Sequence, residues 1–206
     1  TQRSETASCV FNETSWIELA GPLDRAALER ALKEIVARHE ALRVAVLPDG
    51  SAQTISPVSE TLITHRSLSG LNPGERERAL EELLQREGST AFDLVKGPLI
   101  RFCLVVLEKE RHALIFTGHH LVCDGGSISL IVQEIGEFYS AYCAGKTFEE
   151  EPPCAFSQFA EKDGLQRGER TQAEKYWLNE FAAAAPERVE IAEGVRVDDG
   201  FGRTFV

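Results

Sequence analysis

The strongest constraint on the fold is a pair of apolar runs near the middle of the chain, Leu99 to Leu107 and Ala113 to Phe116, joined by the short polar stretch EKER. Their continuous apolarity, without polar alternation, asks for cover on both faces, and so short a connection joins antiparallel neighbours. The two runs therefore predict a buried antiparallel pair in the middle of a sheet. Other elements must pack against both sides of it.

Candidates for those elements flank the pair. A strand is expected across CVFNETSWIELAG, where Trp16 and Ile17 sit among alternating polar neighbours, and Gly21-Pro22 turns the chain after it. From Asp24, a suitable N-cap, Ala27, Leu28, Ala31, Leu32, Ile35 and Val36 form one helical stripe. Asp49-Gly50 places a tight turn between two β-prone runs, which reads as a hairpin. NPGERERALEELLQREG reads as a helix with Pro73 near its first turn and Gly88 at its end. A further helix is expected from roughly Gly126 to Ala144, then a surface linker, EEEPP, and two helices over AFSQFAEKDG and RTQAEKYWLNEFA. The alternation of strands and helices indicates an α+β fold, a layered sandwich built on a largely antiparallel or mixed sheet with flanking helices.

Charge narrows the function. With a formal net charge of −11 and its Lys and Arg scattered, the chain is a poor ligand for nucleic acid or for acidic membrane surfaces. No apolar run approaches the roughly 20 residues that span a bilayer, and TQRSETASCV lacks the apolar core of a signal peptide, so a cytoplasmic location is expected. Five cysteines, Cys9, Cys103, Cys123, Cys143 and Cys154, form no CxxC pair, and three lie in apolar periodic segments, which predicts buried free thiols. The chain contains no methionine and breaks off in the β-prone GFGRTFV; both features suggest a piece of something longer.

The chemistry-bearing stretch is FTGHHLVCDGGSISL, Phe116 to Leu130, at the end of the second apolar run. A histidine there is held by the strand and exposed by the turn, which suits a general base. Gly125 and Gly126 are expected to let the backbone bend. Three other readings stand beside it. The histidines could be a hydrogen-bonded strand end. His119, His120 and Asp124 could ligate zinc, although adjacent strand residues point to opposite faces. Cys123 could be a nucleophile with His120 as its base.

HHLVCDG also resembles the HHxxxDG signature of the condensation domains of nonribosomal peptide synthetases, in the chloramphenicol-acetyltransferase-like superfamily. RHEALRVAV (Arg38 to Val46) resembles that family's RHExLR segment, FDLVKGPLIRFCLV (Phe92 to Val105) the run feeding its central strands, and FSQFA (Phe156 to Ala160) its YxDFA segment, with Phe for Tyr and Gln for Asp. The family's SxAQxR opening does not appear before Cys9, nor do motifs of its second lobe, and Gly126 stands where a large residue, often Trp, is usual. The resemblance therefore implies that residues 1–206 are the amino-terminal lobe of a condensation domain, lacking the start of that lobe and the whole carboxy-terminal lobe, and inactive in isolation.

By the same resemblance, His120 would accept or position the proton of an acceptor amine as it attacks a donor thioester. Both substrates would ride on phosphopantetheine arms of carrier proteins, with no cofactor bound directly. Carrier domains, the second lobe and neighbouring synthetase domains would be the partners. Asp124 would be structural, paired with Arg43 or, failing that, Arg38. Gly125 would allow close backbone approach, His39 and His119 would be packed or hydrogen-bonded, and Ser127 would cap the next helix. An ester-forming acyltransferase, an epimerisation domain or a non-catalytic recruiting module remains open. Heterocyclisation domains usually replace the histidines with aspartates, against that variant.

Overall fold

The computed structural model describes residues 9–57, 63–148, 151–165 and 167–182. Two units are distinguished, Thr1–Phe159 and Ala160–Val206. Among the described residues, the first contains six strands and three long helices. Four strands form one sheet in the order β1 (Asn12–Ala20), β6 (Arg111–His119), β5 (Ile100–Glu108), β4 (Ile63–Ser67). The two apolar runs are β5 and β6, antiparallel and central, as their composition predicts. β1 pairs antiparallel with β6, and β4 pairs parallel with β5, so the sheet is mixed. A two-stranded hairpin, β2 (Val44–Val46) and β3 (Gln53–Ile55), is closed through Asp49-Gly50, where Gly50 has φ +72°.

Alternation along the central strands builds two cores. Phe102 and Leu104 of β5 and Leu114 and Phe116 of β6 point to one face. There they pack on helix α1 (Arg25–Arg38), through Leu28, Ala31, Leu32 and Ile35, and on helix α3 (Gly125–Cys143), through Ile131, Ile135 and Phe138. Cys103, Val105, Ala113 and Ile115 point to the other face, beneath Leu80, Leu83 and Leu84 of helix α2 (Pro73–Ser89). Burying each Leu, Ile or Phe of this kind contributes about 1.5–3 kcal/mol, which is why the doubly covered strands are the rigid centre of the unit.

Local chemistry sets the helix starts. Asp24 caps α1 by accepting from the Ala27 N–H at 3.0 Å, and Asn72 with Glu75 forms a reciprocal capping box ahead of Pro73 at the start of α2. α3 begins at Gly125, its N-cap Asp124 accepting from the Ser127 N–H and Oγ–H at 2.9 and 2.8 Å. Ser127 is thus the donor to the cap and not the cap itself. Helices α4 (Phe156–Leu165) and α5 (Arg167–Ala182) fall on the two segments expected to be helical. On α5, Trp177 stacks on Phe181 with ring centroids 5.8 Å apart.

All five cysteines are free thiols, but only Cys103 and Cys123 are buried; Cys143 and Cys154 are exposed and Cys9 is half-buried. Cys143 is the last residue of α3, where the core packing falls to its neighbours Tyr139 and Tyr142. No described helix is long and apolar enough to cross a membrane.

Candidate active site

His119 ends β6 and His120 follows it, and the two side chains part company as adjacent strand residues must. His119 is 2% exposed. Its ring lies between those of Phe11 and Phe92, with centroids 6.0 and 6.3 Å away, and its Nδ1 accepts from the Leu121 N–H at 3.2 Å. Burial, and secondarily the neighbouring His120, hold its pKa below the ordinary histidine value. It is a packed, hydrogen-bonded residue of the strand end.

His120 faces solvent, its side chain 45% exposed. Its main-chain N–H donates to the Phe11 carbonyl at 2.8 Å, which ties the residue to the start of β1. The ring is held by a hydrogen bond at Nδ1 and flanked by a carboxylate at Nε2. Nδ1 lies 3.0 Å from the Cys123 carbonyl oxygen, and Nε2 lies 3.0 Å from Glu13 Oε1. A carbonyl oxygen only accepts, so Nδ1 carries a proton and Nε2 is the position where the neutral ring holds its lone pair. The turn after β6 thus selects the tautomer a base needs.

Between the histidines and α3, the turn is closed by Val122 N–H and Cys123 N–H, both donating to the His119 carbonyl at 2.9 and 3.3 Å. Cys123 is 6% exposed, and its Sγ is 3.6 Å from the same carbonyl. Burial, with lesser contributions from Glu13 and Asp124, pushes its thiol up to about 11, the opposite of an activated nucleophile. This removes the Cys123–His120 pair from the candidate chemistries.

The arginine brace expected for Asp124 is not formed. The carboxylate is satisfied within its own turn by Ser127, whose two hydrogen bonds hold its pKa below the usual carboxylate range. Arg43 instead donates from Nη1 to the Ser56 carbonyl at 2.7 Å, tying the short helical turn Glu40–Arg43 to the end of the hairpin. Arg38 bonds Glu134 Oε1 at 3.3 Å and the Glu151 carbonyl at 2.7 Å, and His39 Nε2 bonds Glu134 Oε2 at 2.6 Å. Glu40 accepts from Ser157 N–H and Oγ–H at 2.9 and 2.8 Å. Each polar residue of RHEALR therefore fastens a neighbouring segment other than the Asp124 turn. A local donor three residues on wins over a distant arginine because it needs no long side chain to be ordered.

Gly125 and Gly126 have ordinary backbone angles and open α3 directly, so the bend at Asp124 does not depend on their conformational freedom. A Cβ at Gly125 would meet nothing within 4 Å, so the space beside that residue is open. Gly118 is the sterically demanding glycine of the site, for a Cβ there would lie 2.3 Å from Cys123 Sγ. Sequence reasoning misses Gly118, Glu13 and Glu134. Glu134 carries a usable signal, an acidic residue inside the apolar stripe of α3 between Ile131 and Ile135. Glu13 carries none, because only the β1–β6 register, with Glu13 opposite Gly118, brings it to His120.

The condensation-domain family matches residues 1–194. Tyrocidine synthase 3 of Brevibacillus parabrevis is 31% identical over 190 residues, which is 90% of this chain and 3% of that protein. Chondramide synthase cmdD of Chondromyces crocatus is 34% identical over 157 residues, 75% of this chain and 4% of its own length. Among solved structures, the starter condensation domain of the rhizomide synthetase RzmA aligns with a TM-score of 0.73 at 25% identity, over 85% of this chain and 43% of that one. The SgcC5 protein of Streptomyces globisporus aligns at 0.67 and 26% identity, over 84% and 40%. The chain thus spans a small fraction of its curated relatives and less than half of these solved domains. It belongs to the condensation-domain family.

Proposed function

We propose that this member of the condensation-domain family is the amino-terminal lobe of a domain that joins two carrier-bound substrates through an amide bond, with His120 as its base. The observation that carries the reading is the His120 ring: Nδ1 is committed to the Cys123 carbonyl, so the lone pair falls on Nε2, on the exposed side of the turn.

In the reaction, the nitrogen of the acceptor's amine attacks the carbonyl carbon of the donor thioester. The C–N bond forms and the C–S bond breaks. The amine proton passes to His120 Nε2, and the departing sulfur leaves as a thiolate that takes a proton to become the free thiol. Carrier tethering supplies proximity, so the lobe contributes orientation and one well-placed basic nitrogen. Asp124 caps α3 and holds the turn beneath His120, while Gly125 leaves room beside it. His119 packs the strand end, and Arg38, His39 and Arg43 fasten the surrounding segments. The phosphopantetheine arms belong to carrier domains, and the second lobe and neighbouring synthetase domains complete the partner set. Five free thiols suit a cytoplasmic enzyme.

Two of the similar solved proteins bear on the donor and the acceptor. RzmA has been solved in complex with C8-CoA, which supports an acyl donor here. SgcC5 has been solved with (R)-(-)-1-(2-naphthyl)-1,2-ethanediol, which keeps ester formation as the second reading. The deciding experiment supplies the parent synthetase with one loaded donor and, in turn, an amine-bearing and an alcohol-bearing acceptor. Mass spectrometry of the carriers should find the amide. Ester alone would replace this reading by the second, and no product from either acceptor would reject both.

A further inference from the structure

Glu13 stands beside the ring nitrogen that the proposed reaction requires. Its carboxylate Oε1 is 3.0 Å from His120 Nε2, at ion-pair distance but outside hydrogen-bond alignment, while Nδ1 is already held by a carbonyl. In the resting chain Glu13 thus takes one side of Nε2 while the ring stays 45% exposed, and an acceptor amine would approach beside that carboxylate.

The backbone beneath this contact is fixed on all sides. Asn12 Nδ2 donates to the Gly88 and Thr90 carbonyls at 2.9 and 3.0 Å, pinning the start of β1 to the end of α2. Thr14 Oγ1 bonds Thr117 Oγ1 at 3.1 Å, and Glu13 itself pairs with Gly118 across the sheet. The side chain, in contrast, is 39% exposed, and its carboxylate makes no hydrogen bond among those described. A rigid mount carrying one exposed carboxylate aimed at a base is the geometry of a displaceable cover.

The other titratable groups near His120 do not take that place. His119 is buried on the far side of the strand, the Cys123 thiol is buried and held protonated, and the Asp124 carboxylate is spent on Ser127.

Resting on the reading of His120 as the base, we propose that Glu13 is its positioning partner: it holds the imidazole's Nε2 until an acceptor displaces it, and then stands beside the incoming nitrogen. When the carboxylate swings aside, the Nε2 lone pair takes the proton of the acceptor N–H. A carboxylate beside that nitrogen also favours an acceptor that arrives as an ammonium, which gives one proton to His120 Nε2 to become the attacking amine and a second to the departing thiolate, so the residue selects amines over alcohols.

The test needs no carrier protein. Diethyl pyrocarbonate modifies an imidazole only at an unprotonated, accessible nitrogen, so peptide mapping of the 206-residue chain reads how far His120 Nε2 is covered. Glu13→Ala should raise the rate at His120 roughly two- to fivefold, the range an exposed ion pair supports. The rate at exposed His65 should not change, and Glu13→Asp should behave closer to wild type than Glu13→Ala. Two-bond 15N–1H spectra should keep Nδ1 protonated in every variant, because the Cys123 carbonyl is untouched. An unchanged rate at His120 in Glu13→Ala overturns the proposal. Were the variant to lose its fold, His65 and the circular dichroism would report it, and Glu13→Gln, which keeps the size but not the charge, would carry the comparison. A released His120 in a synthetase whose condensation is indifferent to His120→Ala would keep the cover and remove the catalytic reading.

Discussion

Replacing Gly118 by alanine should disturb the site more than any other single methyl group. Gly118 lies on β6 two residues before His120, and its backbone is ordinary, so what glycine supplies there is room. An added Cβ would come within 2.3 Å of Cys123 Sγ, far inside van der Waals contact, while its next neighbours, Cys123 Cβ and the Leu99 carbonyl, stand at 3.8 and 3.9 Å. Cys123 is 6% exposed and cannot swing out, so the turn carrying His120 must move. Overpacking of this kind costs about 1–3 kcal/mol, which in a chain of this size lowers Tm by roughly 4–8 °C at the middle of that range. The assay is a double-mutant cycle by thermal or urea unfolding. Cys123→Ala removes the sulfur and leaves the ordinary contacts with the residue 123 Cβ and the Leu99 carbonyl at 3.8 and 3.9 Å, so the double variant should be about as stable as Cys123→Ala alone. Strict additivity of the two losses, or a Gly118→Ala protein as stable as wild type, would refute the argument.

Two further predictions concern the supports of the site. Glu134→Ala removes the carboxylate that joins Arg38 and His39 at a mostly buried position, their side chains 14% and 16% exposed, and should cost about 3 kcal/mol, or a Tm lower by roughly 6–12 °C; a change under about 2 °C would mean that this cluster does not hold the end of α1 to α3. Asp124→Asn should keep most of the wild-type stability, because asparagine caps helices about as well, whereas Asp124→Ala should lose more; equal losses would indicate that the charge has a distant partner after all. The folded carboxyl of Asp124 is lowered by Ser127, so its contribution is fully present above the ordinary carboxylate value near pH ~4 and is lost as pH falls through the lower folded value; unfolding midpoints of wild type and Asp124→Asn should converge as the pH is taken down through that window.

How much of this is legible in the sequence depends on the distance over which each feature is decided. β5 and β6 are readable because continuous apolarity and a short polar connection already require a covered antiparallel pair. The capping of α1 by Asp24 and the hairpin at Asp49-Gly50 are readable because each is decided within a few residues. His119 and His120 can be assigned to opposite faces from strand geometry alone. For Asp124 the family resemblance points to Arg43, although the local D-x-x-S pattern offers the shorter answer: a capping bond to Ser127 that costs almost no ordering. The roles of the RHEALR side chains depend on where α3, the hairpin and the start of α4 come to lie, and no spacing encodes that. Glu13 is hidden for the same reason, since it meets His120 only through a register set by the whole of β1 and β6. Cys143 falls on an apolar-looking segment, but Tyr139 and Tyr142 beside it take the core-facing side of α3 and leave it exposed.

The most direct test of the central claim is the amount of condensation product formed by the parent synthetase with loaded donor and acceptor carriers, compared between wild type and His120→Ala by intact-protein mass spectrometry. His120 lies on an exposed turn and contributes little packing, so the variant should stay folded and loaded while the amide product falls by roughly 10²–10⁴-fold, the range of a lost general base. Product accumulating at near wild-type rate from a folded His120→Ala protein would contradict the account.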